Sequence, residues 1–224
     1  MDKTVLLDYI DHSLHLPLGE KPGPVVTISR EFGCPGKPVA ERLVSALQES
    51  DHEKWRMFDR EAVNMAAREL NIPVEMVENT IRKGNQGILR DFMISFSREY
   101  IPEDLTIKKK YAAIVMSVAA QGHAVILGRG GEVLTRTMER SVHFRLIAPP
   151  DWRIEQIKKD YNRNADEARK MMDAIDRERV YLREFYRGEK LTDYDYDVVF
   201  NTAHINVDTI VQAMLSIIRN RNIL

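Results

Sequence analysis

Five short apolar runs, each followed by a longer segment with helical spacing, constrain this 224-residue chain more than any other feature. The runs are residues 25–29, 55–59, 123–127, 142–148 and 196–202. Runs this short, several of them rich in β-branched residues, suit strands buried on both faces of a sheet. Strand followed by helix, repeated, implies right-handed crossovers and a mostly parallel sheet covered by helices on both sides. Helical spacing is clear after the first run, at Val39, Leu43, Val44 and Leu47. It is clear again after the last, at Ile210, Val211, Met214, Ile217 and Ile218. A short helix is expected over 132–137. The charged stretch 151–187 reads as helix interrupted near 162–165.

Between the second and third runs no strand pattern occurs. Helices are predicted over 61–71, 73–83, 88–98 and 105–121, punctuated by Gly84, Gly87 and Pro102, so 60–122 reads as a helical insertion. Residues 1–24 form an arm ahead of a body expected over 25–224. Its amphipathic segment carries Leu6, Leu7, Ile10 and Leu14, and Lys21-Pro22-Gly23-Pro24 then stops any helix. The arm is expected to pack on the body or on a second copy of the chain, in a homodimer.

Charge and composition narrow the function classes. Lys and Arg number 33 against 34 Asp and Glu, a net charge of −1. That balance argues against a nucleic-acid binder, which needs a cationic excess. A single cysteine, Cys34, excludes an internal disulfide or a multi-cysteine zinc site, and six histidines show no metal-ligand spacing. No apolar run is long enough to span a bilayer, and the start lacks a signal-peptide pattern, so a cytoplasmic location is expected.

The chemistry concentrates in Ser29-Arg30-Glu31-Phe32-Gly33-Cys34-Pro35-Gly36-Lys37. A strand here enters a glycine loop that opens a helix, and helix N-termini bind anions through exposed amides and the helix dipole. Against the phosphate-loop pattern G-x-x-x-x-G-K-[ST], Gly36 and Lys37 match. Glu31 stands where the first glycine belongs, and Pro38 where the magnesium-binding hydroxyl belongs. An ordinary βα turn with a proline near the helix start is the competing reading.

Taken with later landmarks, this loop resembles that of the cytidylate-kinase-like proteins, a branch of the P-loop nucleoside monophosphate kinases. Phe58-Asp59-Arg60-Glu61 resembles the step after the family's second strand. Val125-Ile126-Leu127-Gly128-Arg129-Gly130 resembles its Val-Gly-Arg strand end. Asp176-Arg177-Glu178-Arg179, with Tyr181, Arg183, Phe185 and Tyr186, resembles its lid helix, and the last strand likewise ends Asn201-Thr202.

The resemblance implies a P-loop NTPase-like, three-layer α/β/α fold with a helical acceptor-binding insertion and a helical lid over 151–190. It implies phosphoryl transfer from ATP, with Mg²⁺, to a nucleoside monophosphate, CMP or dCMP first. Arg30, Gly33, Cys34, Gly36, Lys37 and Arg177 would bind the ATP phosphates. Lys37, Arg179 and Arg183 would neutralise charge during transfer, and Asp59 and Arg129 would hold the acceptor. A kinase of another small metabolite, or a nucleotide-binding regulator without efficient catalysis, is the alternative.

Each of these residues also has a plainer reading. Asp59 is a natural N-cap for the helix that follows. Arg179, Arg183 and Arg187, at i, i+4 and i+8, place three cations on one helix face; this suits a triphosphate, but nearby acids make a solvated mixed-charge face the alternative. Cys34 fills a small-residue slot or is a thiol activated by the helix N-terminus. Met57, Met171 and Met172 read as core or groove packing. The chain departs from the cytidylate kinases in carrying Leu127 and Gly130, rather than aspartates, around Arg129. Magnesium ligands are therefore unassigned, with Ser29, Glu31 or bridging waters as the candidates.

Overall fold

The computed structural model describes residues 23–70 and 103–224, with Thr4, Leu7, Tyr9 and Ile10 of the arm. The helices expected over 73–83 and 88–98, and His12 and His15, lie outside the described residues. Five strands form one parallel sheet: β1 (Val25–Arg30), β2 (Arg56–Phe58), β3 (Ala124–Leu127), β4 (Ser141–Ile147) and β5 (Val198–Asn201). Their order is β2-β3-β1-β4-β5. Val25 is paired with Ala124 on one side and Ser141 on the other, so β1 is central.

The helices alternate with the strands: α1 (Gly36–Asp51), α2 (Arg60–Glu69), α3 (Glu103–Gln121), α4 (Gly131–Leu134), α5 (Pro150–Tyr161), α6 (Ala165–Arg187) and α7 (Val207–Asn220). A 3₁₀ turn, Asp193–Asp195, precedes β5. The last strand is thus shorter than expected, although Asp197 and Thr202 still donate backbone bonds to His143 and Ile147 of β4. The break predicted near 162–165 separates α5 from α6. Asn162 adopts a left-handed conformation there, and Asn164 opens α6 with a capping box to Glu167.

Alternation along β1 feeds two cores. Val26 and Ile28 pack with Val39, Leu43 and Leu47 of α1 and with Ile210 and Met214 of α7. Val25, Ala124 and Ile126 belong to the opposite core, with α2 and α3. Residues 112–116 of α3 are all essentially inaccessible, as are Val118 and Ala119, so that helix is buried nearly all round. The arm joins this core: Ile10 is fully buried, Tyr9 stacks on Phe58 at 5.7 Å, and Arg56 lies 4.0 Å over the Tyr9 ring. The described part of the arm therefore packs on its own body. Among the described residues no helix is long and apolar enough to cross a membrane.

The connections from β1 and β4 leave in opposite directions along the sheet. In open α/β sheets ligands bind at such a switch point, at the carboxyl ends of the strands.

Candidate active site

A cleft of about 590 Å³ opens at that edge. Its lining comes from the segments after β1, β2 and β4 and from Leu127 at the end of β3. The glycine loop forms its floor. Gly33 has φ +93°, and a Cβ there would fall 2.9 Å from the Arg153 carbonyl oxygen, so both conformation and space require glycine. The Cys34 and Gly36 amides bond within the turn, to the carbonyls of Glu31 and Cys34. Pro35 has no N–H. The amides of Gly33 and Lys37 find no acceptor among the described residues.

Two free amides at the start of α1, a helix with no side-chain cap and no acid in its first turn, leave a positive helix end uncompensated. Lys37 is exposed, lines the cleft and has no partner among the described residues.

Arg30 lies beside this loop. Its side chain is largely desolvated and makes no hydrogen bond among the described residues. Burial, reinforced by the neighbouring Arg179, pulls its pKa down to about 9, while Glu132 and Asp59 oppose the shift. Gly128, with φ +76°, makes room for it, since a Cβ there would overlap Arg30 Nη1. Arg179 of α6 also lines the cleft; it donates to the Arg30 carbonyl at 3.0 Å and lies 5.5 Å over the Phe32 ring.

The rest of the arginine stripe goes elsewhere. Arg179, Arg183 and Arg187 do share one face of α6, but that face meets the body, which supplies carboxylates of its own. Arg183 donates to the Tyr196 hydroxyl and lies 3.9 Å from Glu132 rather than lining the cleft. Arg187 pairs with Glu189 at 2.9 Å and Asp195 at 3.4 Å. Arg177 is exposed, away from the cleft.

On the other side, Asp59 caps α2 by accepting from the Ala62 amide at 2.9 Å, and it also lines the cleft. Asp59 is half-buried, so capping and a place in the cleft lining coexist. Arg129 does not line the cleft. It sits at φ +59°, donates to Asn64 Oδ1 at 2.8 Å and stacks 4.7 Å from the Tyr111 ring. Its Nε is buried without a hydrogen-bond partner among the described residues. Asn64 and Tyr111 belong to α2 and α3, the helices on either side of residues 71–102, so Arg129 is held at the root of the insertion.

The donors do not fit a protein-held magnesium site. Glu31 accepts from the Ala148 amide at 3.2 Å and pairs with Arg153 at 3.4 Å, and Ser29 Oγ is buried 3.3 Å from the Tyr196 hydroxyl. Neither is among the residues that line the cleft, and the described residues contain no cluster of three or more potential ligands. Cys34 is not activated, because burial pushes its thiol up from the usual value.

The far wall was not anticipated. Trp152, Gln156 and Asp160 recur at i, i+4 and i+8 on α5, and with Tyr161, Met171 and Ile175 they line the cleft. Tyr161 lies 5.5 Å from Phe32. The i, i+4, i+8 spacing was visible in the sequence, but the face it serves was not. Asp176 and Arg153 were missed as anchors of the loop, and Glu132 as a buried acid.

Comparisons agree with this architecture. No curated protein matches the chain. A crystal structure of an uncharacterized protein from Eubacterium ventriosum superposes with TM-score 0.66 at 18% identity, covering 88% of this chain and 98% of that one. Shikimate kinase from Bacteroides thetaiotaomicron gives TM-score 0.46 at 11% identity, and TT1252 from Thermus thermophilus 0.40 at 16%, each with the same coverage. The family model described as the cytidylate kinase-like family matches residues 25–204, from the first residue of β1 to just past β5. With the glycine loop, the Arg129 strand end and the α6 helix all inside that span, the chain belongs to the cytidylate kinase-like family.

Proposed function

We propose that this protein transfers the γ-phosphoryl group of ATP to a nucleoside monophosphate, with CMP or dCMP the first candidates. The observation that carries this reading is the twofold character of one cleft's lining. Free amides, Lys37, Arg30 and Arg179 line it together with Trp152 and Tyr161, and Phe32 joins the two sets, 5.5 Å from Arg179 and 5.5 Å from Tyr161. A nucleotide has two matching parts, polyphosphate and aromatic ring. A planar base against Trp152 and Tyr161, with Gln156 and Asp160 at its edge, suits adenine, whose ring edge carries both a donor and an acceptor.

In the proposed reaction an acceptor phosphate oxygen forms a bond to the γ-phosphorus as the bond to the β–γ bridging oxygen breaks. Phosphoryl transfer needs mainly positioning and charge neutralisation. The Gly33 and Lys37 amides, the Lys37 ammonium, Arg30 and Arg179 would supply these on the donor side. Arg129 and Asp59 would orient the acceptor, and no general base is required. ATP is consumed as its magnesium complex, and no step is assigned to a protein-held metal. The lid role would fall to the α5–α6 hairpin, which supplies Trp152 and Tyr161.

A second reading, a different small acceptor, is favoured by Leu127 and Gly130 standing in place of carboxylates beside Arg129. One assay separates the two. Purified protein with ATP and Mg²⁺ is offered a panel of nucleoside monophosphates, and ADP release is followed. Turnover with CMP or dCMP supports the proposal. ATP binding with no turnover on any nucleoside monophosphate refutes it.

A further inference from the structure

Glu132 is the one acidic side chain among the described residues that is buried, at 1% exposure. It lies in α4, three residues after Arg129. One oxygen, Oε1, is 3.4 Å from the Tyr196 hydroxyl and 3.9 Å from Arg183 Nε. The other, Oε2, is inaccessible and has no hydrogen-bond partner among the described residues. Beyond its own main-chain amide, a carboxylate with one long hydrogen bond and one long ion pair is poorly solvated for its depth. Packing alone gives no reason to keep it.

What surrounds it does. Arg183 is largely buried and faces Glu132. Arg30 is desolvated, repelled by Arg179 and Arg129, and stabilised as a cation by Glu132 before any other acid. Arg183 also holds the Tyr196 hydroxyl, 3.3 Å from Ser29 Oγ, on the residue before Arg30. Arg30 lines the cleft, and its Nη1 lies against Gly128, four residues before Glu132.

We propose that Glu132 is the resident counter-anion of the phosphate site: its charge stabilises Arg30 and Arg183 while the cleft is empty, and it opposes bound polyphosphate by sharing Arg30. The inference rests on the reading that Arg30 and the glycine loop bind polyphosphate. Two anions competing for one cation are anticoupled, and linkage makes the effect reciprocal. Removing the Glu132 charge should loosen the empty protein and tighten ligand binding together. A purely structural glutamate would change stability and leave affinity alone, or weaken both.

The test compares the parent with Glu132→Gln, which keeps shape and removes charge, and Glu132→Asp, which keeps charge. Inorganic triphosphate and ATP are titrated calorimetrically, and the melting temperature is read with and without each. Glu132→Gln should melt lower when empty, bind both ligands about five- to tenfold tighter, and show a larger ligand-induced rise in melting temperature. Glu132→Asp should stay within about twofold of the parent in affinity. Unchanged or weaker binding by Glu132→Gln, with the parent binding normally, overturns the inference alone. A parent that binds neither ligand at millimolar concentration overturns the functional reading beneath it. If Glu132→Gln does not fold empty, triphosphate must restore its folding, and failure of that rescue also overturns the proposal.

Discussion

Asp176, midway along α6, accepts a hydrogen bond from the Phe32 main-chain N–H at 2.7 Å, 144 residues away in sequence. Its other oxygen pairs at 2.5 Å with Arg153, which also donates to the carbonyls of Phe32 and Ala148. One carboxylate thus ties α6, and through Arg153 the start of α5, to the glycine loop.

Asp176→Ala should therefore cost stability as well as activity. It strips a buried guanidinium of its shortest ion pair and an amide of its acceptor. Removing one partner of such a pair costs about 3 kcal/mol. Urea unfolding should show a lower midpoint with an unchanged slope.

Lys37→Ala should behave in the opposite way. Lys37 is exposed and unpaired among the described residues, so stability should stay within about 0.5 kcal/mol. Its kcat/KM for ATP should fall at least about tenfold, or about 1.4 kcal/mol. Arg129→Ala should lose at least as much, with the defect in KM for the acceptor rather than for ATP. Steady-state kinetics with each substrate varied separately distinguish the two.

The fold was legible because the inner strands β1, β3 and β4 are largely buried and so appear as short apolar runs, although the edge strands β2 and β5 are only partly buried. The site was legible where backbone conformation dictates residue type, as at Gly33 and Gly128. It was not legible where partners are distant in sequence. The Arg179–Arg183–Arg187 stripe looked unneutralised because Glu132 and Asp195 lie elsewhere in the chain. Glu132 resembled a routine acid in the first turn of a helix, and nothing local announced its burial. The aromatic wall of α5 escaped notice because spacing identifies a face without saying what it covers.

His143 supplies a pH dependence unrelated to the cleft. Its ring nitrogens lie 2.9 Å from Thr27 Oγ1 and 3.2 Å from Ser141 Oγ, under the sheet. Burial pulls its pKa from 6.5 down to about 4; Asp197 opposes this, and Arg136 and Arg221 add to it. The folded state thus binds fewer protons than the unfolded chain between those values. Its contribution is fully present above pH 6.5 and is lost as pH falls toward about 4. Urea midpoints of the parent should decline over that window, and those of His143→Gln should decline less.

Cys34 reports on occupancy of the cleft. Its half-buried, unactivated thiol should react with iodoacetamide at neutral pH more slowly than a free cysteine. Because Cys34 lines the cleft, saturating ATP should slow the reaction at least about threefold further. With one cysteine in the chain, mass spectrometry reads this without ambiguity.

The central claim is that a polyphosphate docks on the unpaired amides at the mouth of α1. Titrating ATP into ¹⁵N-labelled protein tests it most directly. The Gly33 and Lys37 amide resonances should move together and saturate at the affinity measured by calorimetry. ATP binding that leaves both resonances in place, or no binding at millimolar ATP, would contradict the account.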